Sequence, residues 1–301
     1  MSYVVSVLQG GLGNQLFQYA VARSIALELG LNVHLNTCIL QNPTSRDTPR
    51  HYDLGPYNLS VNLVNFGRNQ IRLRYLQQRY FQYLDISKLY SNKTFKHWIY
   101  EGSNFNYTRI FQISPPIVLI GWWQSEKYFR NIEGVLRHEL VPSCRSNTEA
   151  MQLIKRLKSQ KGKSVSLHIR RGDYLTNRHA SDYHGTCSLN YYKSALETLY
   201  HKLGICDLYY YIFSDDVEWA VSNIVPMVPN SMLVSNNLYF THHDELTLMS
   251  HCSHHIIANS SFSWWGAWLN PSSDKIVVAP RDWYRNSPAP DDLIPNGWLQ
   301  V

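Results

Sequence analysis

Between Ser164 and Pro280 the chain alternates short, unbroken apolar runs with longer helical stretches. The runs are "SVSLHI" (Ser164 to Ile169), "LYYYIF" (Leu208 to Phe213), "HHIIA" (His254 to Ala258) and "KIVVAP" (Lys275 to Pro280). Between them lie "LNYYKSALETLYHKLG" (Leu189 to Gly204), "VEWAVSNI" (Val217 to Ile224), "DELTLMSHC" (Asp244 to Cys252) and "SFSWWGAWL" (Ser261 to Leu269). A strand that is apolar at nearly every position is buried on both faces, and strands joined by helices pair in parallel. The N-terminus repeats the logic. "YVVSVL" (Tyr3 to Leu8) reads as a strand, "QGGLGN" as a turn, Gln15 to Leu29 as a largely buried helix and "NVHLN" (Asn32 to Asn36) as the next strand. "PPIVLIGWWQSEKYF" (Pro115 to Phe129) returns to a strand followed by an aromatic turn, and Thr148 to Lys163 reads as a helix ending at Gly162. Residues 41–115, interrupted by Pro43, Pro49 and Pro56, read as loops and helices. The pattern predicts two doubly wound α/β domains, 1–155 and 156–301, with a cleft between them.

With 301 residues, each half is long enough to bury its own core. The composition, 44% hydrophobic and 17% charged, is that of a globular protein. A net charge of +6 fits an anionic ligand or an acidic surface. The basic residues form no single block, which disfavours nucleic acid. The odd, scattered cysteines Cys38, Cys144, Cys187, Cys206 and Cys252 suggest no disulfide framework and point to a reducing compartment. "MSYVVSVLQGGLG" lacks the basic region of a signal peptide, and no apolar stretch reaches the roughly 18 residues needed to span a bilayer. The chain is therefore expected to be cytoplasmic. The basic amphipathic stretch Arg68 to Leu84 offers a peripheral contact with the inner face of the plasma membrane.

In doubly wound sheets ligands bind beyond the C-terminal strand ends. Polar residues gather at four such ends: Gly10 to Asn14, Arg170 to Asp173, Ser214 to Asp216 and Asn259 to Ser261. Gly11 and Gly13 begin a dinucleotide-like turn, but Leu16 stands where a third glycine belongs. The second strand ends in Asn36 rather than an acid, which argues against a nicotinamide cofactor. The adjacent Arg170 and Arg171 suit a nucleoside diphosphate, since a guanidinium fork matches phosphate oxygens in pairs. Strand alternation puts His168 and Arg170 on one face and Arg171 on the other. Arg170 then meets the ligand, while Arg171 pairs with Asp173 or another acid. Ser260 or Ser261 can cap the following helix, whose free N–H groups suit phosphate. Asp215 and Asp216 lack a D-x-D arrangement, so gripping ribose or base N–H groups suits them at least as well as binding metal. The group His242, His243, His251, Cys252, His254 and His255 matches no compact zinc pattern. Trp122, Trp123, Gln124 and Glu126 suit a neutral sugar acceptor.

Together these segments resemble the bacterial alpha-1,2-fucosyltransferases, glycosyltransferase family 11. The similarity rests on "GGLGNQLFQYA" (Gly10 to Ala20), "GWWQSEKYF" (Gly121 to Phe129), "HIRRGDY" (His168 to Tyr174), "FSDD" (Phe213 to Asp216) and "IIANSSFSWWGAWLN" (Ile256 to Asn270). The resemblance implies a GT-B architecture of two Rossmann-like domains, the first mainly for the acceptor and the second for GDP-fucose. It implies an inverting transferase that makes an α-1,2 link to a terminal galactoside, in O-antigen or capsule synthesis on a lipid-linked acceptor. No metal and no cofactor beyond the donor substrate are expected. By the same resemblance Arg170 binds the β-phosphate. His168 and one of Asp244 and Glu245 contact guanine, and Asp215 and Asp216 contact the nucleoside. Ser260 and Ser261, with Ser214, Asn259 and Phe262 beside them, hold the donor, and Asn14 sits by the fucose and acceptor. Candidate general bases are Glu126, Asp47, Asp53 and a histidine. The competing readings are a transferase for another GDP-sugar, such as GDP-mannose, and a non-catalytic glycan-binding protein.

Overall fold

The computed structural model describes residues 3–41, 48–65, 98–101, 107, 115–142, 147–160, 162–204 and 207–301. The basic stretch Arg68 to Leu84 and the candidate base Asp47 lie outside the described residues. The chain divides into two compact units. One is Met1–Gly55, Leu59–Glu139 and Pro290–Leu293; the other is Pro56–Asn58, Leu140–Ala289 and Ile294–Val301.

The first unit holds β1 (Tyr3–Val7), β2 (Asn32–Asn36), β3 (Val61–Val64), β4 (Trp98–Tyr100) and β5 (Ile117–Ile120), in the order β3-β2-β1-β5-β4. Every pairing is parallel. Helix α1 (Leu12–Leu29) follows β1. It is apolar around most of its girth and correspondingly buried, and Gly30 stops it in the left-handed conformation. Two of these strands fall in the region expected to hold only loops and helices. They are edge strands of four and three residues, and β3 leaves Asn62 and Leu63 exposed, so neither carries the apolar run that marks a buried strand.

The second unit holds β6 (Ser164–Ile169), β7 (Tyr209–Ser214), β8 (Ser231–Leu233), β9 (His254–Ile256), β10 (Val277–Ala279) and β11 (Leu299–Gln300), in the order β11-β10-β9-β6-β7-β8. It too is parallel throughout. On one face Val165, Leu167, Ile169 and Ile212 pack beneath α3 (Leu189–Leu203). On the other, Tyr211 and Phe213 pack with Leu153 and Leu157 of α2 (Thr148–Ser159) and with Leu248 and Met249 of α4 (His242–His251). Each large side chain so buried stabilises the fold by about 1.5–3 kcal/mol. The packing of α2 explains why the second unit begins at Leu140, earlier than the division at 155/156: that helix belongs wholly to the second sheet. The chain is thus α/β with the pair of Rossmann-like sheets expected of a GT-B enzyme. No helix among the described residues is long and apolar enough to cross a membrane.

Of the histidines in the group weighed for zinc, His255 has structural work. His255 is fully buried in β9. Its Nδ1 lies 2.8 Å from Ser166 Oγ, and its Nε2 lies 2.9 Å from Nδ2 of Asn270, which also donates to the Cys252 carbonyl. An amide donor at Nε2 makes that nitrogen the acceptor, so the ring is neutral with its proton on Nδ1. Among the described residues no three His, Cys, Asp or Glu side chains gather as a metal cluster.

Burial lowers the pKa of His255 well below its ordinary value, and lowers that of His254 as well. It lowers His184 to about 4 and His168 to about 3. The folded protein keeps these rings neutral where the unfolded chain, with pKa near 6.5, binds protons. Stability is therefore whole above about pH 6.5 and falls as pH drops toward the folded values, with a limiting slope of about 1.4 kcal/mol per pH unit per histidine. Denaturant unfolding at pH 7.5, 6 and 5 should show a progressive loss; a flat profile would contradict burial of neutral imidazoles.

Candidate active site

Each sheet reverses its winding once: the first between β1 and β5, the second between β6 and β9. At such a point neighbouring strand ends send their loops in opposite directions and open a crevice. The sequence motifs fall on those loops.

In the first unit, buried amides from α1 tie the loops together. Gln15 Nε2 donates to the carbonyls of Gly10 (2.9 Å) and His51 (2.7 Å), and its Oε1 accepts the Asp53 N–H (2.9 Å). Gln18 Nε2 donates to the Gly121 carbonyl (3.1 Å) and its Oε1 accepts the Gln9 N–H (3.0 Å). Gln124 Nε2 donates to Asn14 Oδ1 (2.8 Å). The glycine this turn requires is Gly10, which the motif reading passed over in favour of Gly11 and Gly13. Gly10 has φ +76°, and a Cβ there would lie 2.4 Å from Asn14 Nδ2 and 3.0 Å from the Trp122 ring. Gly11 is the N-cap of α1, with the Arg50 side chain against it, and Gly13 is inside the helix. The turn thus gathers Asn14, Trp122 and Gln124, together with Arg50, His51 and Asp53, which the motifs had not placed there.

Two other expected acceptor-side residues have different tasks. Trp123 is 2% exposed and packs edge-on against Tyr128, so it is core rather than sugar platform. Glu126 lies beside arginines: its carboxylate is 3.8 Å from Arg130 and acts electrostatically on Arg137.

In the second unit Arg171 pairs with an acid as expected, Asp216 rather than Asp173, and Arg170 is itself paired with two. Arg170 Nη2 pairs with Asp173 (2.6 Å) and Nη1 with Asp215 (2.9 Å), and its guanidinium lies 5.4 Å from the Tyr174 ring centre. Asp173 is therefore the partner of Arg170. Arg171 pairs through Nε with Asp216 (2.9 Å) and lies 4.3 Å over the Trp219 ring. Asp215 also accepts the Arg171 N–H (2.7 Å). Asp216 caps α5 (Val217–Asn223) by accepting the Trp219 N–H. Two cations thus face three carboxylates, and the strand tip carries no net positive charge from these side chains.

Around the arginines the remaining expected residues separate into liners and supports. His168 is buried and neutral, its pKa depressed to about 3 first by burial and then by Arg170. Its Nδ1 has no hydrogen-bond partner among the described residues, and its ring lies 5.8 Å from Phe262. Ser260 caps α6 (Ser261–Leu269) by accepting the Phe262 N–H, leaving Ser261 half-buried in the first turn. Asn259, expected beside the donor, is a support. It is 2% exposed, and its Nδ2 contacts the carbonyls of His184, Gly185 and Trp283. Ser214 is buried in its own turn, its Oγ bonded to the main chain of Asp216. Of the two candidate acids on α4, Asp244 closes a capping box with Thr241. Glu245 bonds Ser235, whose Oγ accepts the Ser214 N–H, so Glu245 is the acid tied to the end of β7. Burial raises the Glu245 pKa.

The family model described as glycosyl transferase family 11 matches residues 3–300. The chain is 31% identical over 310 residues to the O-antigen biosynthesis glycosyltransferase WbnK of Escherichia coli, covering 98% of this chain and 99% of that protein. It is 30% identical over 305 residues to an alpha-1,2-colitosyltransferase of Escherichia coli, covering 100% of this chain and 99% of that protein. Among solved structures, the fucosyltransferase NodZ from Bradyrhizobium aligns with a TM-score of 0.48 at 12% identity, over 90% of this chain and 94% of that one.

The amide clamps give a direct expectation. Gln18→Ala removes the acceptor of the Gln9 N–H and the donor to the Gly121 carbonyl in a buried setting. Leaving buried main-chain groups unpaired costs about 1–3 kcal/mol each. Urea unfolding should show a loss of at least that size; a change below ~0.5 kcal/mol, the range of ordinary surface substitutions, would refute the clamp.

Proposed function

The chain belongs to glycosyl transferase family 11 and is a glycosyltransferase; from that premise we propose that it moves L-fucose from GDP-β-L-fucose to the 2-hydroxyl of a terminal galactoside, with inversion, in O-antigen-type polysaccharide assembly. The observation that carries the reading is Arg170, held by Asp173 and Asp215 at the second switch point. The two ion pairs fix the plane of the guanidinium. An arginine has five N–H donors, so others remain for a diphosphate.

On this reading the acceptor hydroxyl attacks the anomeric carbon from the face opposite the diphosphate, through an oxocarbenium-like transition state. Negative charge grows on the departing β-phosphate oxygen. Arg170 and the first turn of α6 donate to that oxygen as the bond breaks, so their stabilisation is largest in the transition state. His168, neutral and with an Nδ1 unpartnered among the described residues, and Glu245 read the guanine edge. Asp215 and Asp216 act by orienting the arginines. On the acceptor side Asn14, Trp122 and Gln124 hold the galactoside. Asp53 takes the hydroxyl proton; its main chain is anchored by Gln15 to the turn that carries Asn14 and Gln124. The reading includes metal independence, and it is supported by the pairing of each of Asp173, Asp215 and Asp216 with a guanidinium.

A second donor has specific support, because one relative is named an alpha-1,2-colitosyltransferase. Colitose lacks the 3-hydroxyl of fucose, so the choice turns on a single hydrogen-bonding group.

Calorimetry should show GDP binding, and transfer should persist in EDTA. Strict dependence on added metal, or no affinity for GDP, would refute the reading. Arg170→Ala should lower kcat/KM at least ~100-fold, the scale for removing one charge-stabilising donor. Asp53→Asn should lower kcat by about 10²–10⁴ if it is the base, with GDP affinity unchanged. A panel of GDP-fucose, GDP-colitose and GDP-mannose with galactose-ended acceptors fixes the donor.

A further inference from the structure

Glu101 is an acid with no role assigned so far. It follows β4 directly and is 7% exposed. Among the described residues it has no cationic partner. Both carboxylate oxygens are spent on main chain: Oε2 accepts the N–H of Trp122 (2.6 Å), and Oε1 and Oε2 accept that of Trp123 (2.9 and 3.0 Å). Desolvation raises its pKa to about 7 in spite of these two donors.

The segment it holds is unusual. Trp123 has φ +55°, a left-handed conformation that a bulky side chain rarely adopts. Such a conformation persists only where its surroundings over-determine it, and it gathers at functional sites. Three contacts do so here. Glu101 grips the two N–H groups, and Gln18 grips the Gly121 carbonyl from the other side. Gly121 leaves the room: a Cβ there would lie 2.5 Å from Cβ of Glu101. Beyond this fold in the chain, the Trp122 ring abuts Gly10 and Gln124 reaches Asn14.

We propose that Glu101 is a positioning residue, which holds the 121–124 turn in its left-handed form and so sets Trp122 against Gly10 and Gln124 against Asn14 for acceptor recognition. It is not the general base, because both oxygens are engaged by main-chain donors and the carboxyl is almost wholly enclosed. The inference rests on the reading of this turn as the acceptor side of the transfer site.

The test compares wild type with Glu101→Gln and Glu101→Ala, using GDP calorimetry, thermal melting and transfer kinetics with whichever of GDP-fucose, GDP-colitose and GDP-mannose the wild type uses. For folded Glu101→Gln we expect GDP affinity within two-fold of wild type and acceptor kcat/KM at least ten-fold lower, most of it in acceptor KM. Glu101→Ala should be worse, and Gln partly restores function because its amide oxygen still accepts one N–H. Because Glu101 works through the turn, combining Glu101→Gln with Gln124→Ala should cost clearly less than the product of the single effects. Wild-type acceptor kinetics in Glu101→Gln, equal losses in GDP affinity and acceptor use, or strictly multiplicative effects would each overturn the proposal. Use of a donor other than GDP-fucose would correct the donor assignment alone, and no transfer from any of the three would overturn both.

Discussion

A parallel sheet that reverses its winding leaves main-chain groups at two neighbouring strand tips without ladder partners, and each must find a partner or stay wet. The two units of this chain meet that constraint with different balances of amide and carboxylate. In the first, amides reach up from α1 and one carboxylate joins them: Gln15 serves Gly10, His51 and Asp53, Gln18 serves Gln9 and Gly121, and Glu101 takes the N–H groups of Trp122 and Trp123. In the second, carboxylates and an amide do it: Asp215 takes the Arg171 N–H, Asp216 caps its helix, and Asn259 ties three carbonyls. The groups of the first unit fix loops alone, whereas the aspartates of the second also hold two cations still.

The charge balance of the second unit changes what the arginines can do. Two bare guanidiniums would attract any polyanion through their net field. Here three aspartates offset them, so attraction by net charge at this tip is small, and what remains is direction. A guanidinium fixed by two carboxylates loses little rotamer freedom on meeting a phosphate, because that freedom is already lost in the free protein. Such preorganisation is how fixed donors stabilise charge that develops during a reaction. Arg171, stacked on Trp219 and bonded to Asp216, gives the strand end its stiffness.

The legibility of the sequence followed burial. Strands apolar on both faces announced themselves, and so did the polar residues at their ends, because a continuous apolar run that stops at Arg170 or Asn259 has few alternatives. The edge strands β3 and β4 carry no such run and passed as loops. Among site residues, the adjacency Arg170–Arg171 was visible, but its partners were not. Asp173 is three residues from Arg170 and the other partner, Asp215, comes from the next strand, a pairing fixed by the β6–β7 register. Trp123 and Trp122 are indistinguishable in sequence; only the left-handed turn at Trp123 sends one to the core and leaves the other on Gly10. Glu101 was illegible because its partners are main-chain N–H groups, which every sequence offers equally. The one cue was an acid shortly before the motif that begins at Gly121, and nothing in its neighbours distinguishes it from a surface acid.

Two buried histidines on the second sheet show how a supporting polar group differs from one available to a ligand. His255 has Ser166 on one nitrogen and Asn270 on the other, so its hydrogen-bonding capacity is spent and its neutrality simply joins β9 to β6. His168, on β6 beside Arg170, is equally buried and its Nδ1 has no partner among the described residues. An unsatisfied buried nitrogen costs about 1–3 kcal/mol. On the proposed reading a ligand supplies the missing partner, one residue from the end of the central strand. Burial first, and then the nearby Arg170, keep the imidazole from charging, so the ring is a neutral hydrogen-bonding edge, suited to a base rather than to a phosphate. On the proposed reading, the order along β6, a neutral hydrogen-bonding ring followed by a directed cation, matches a nucleoside diphosphate laid along the strand end.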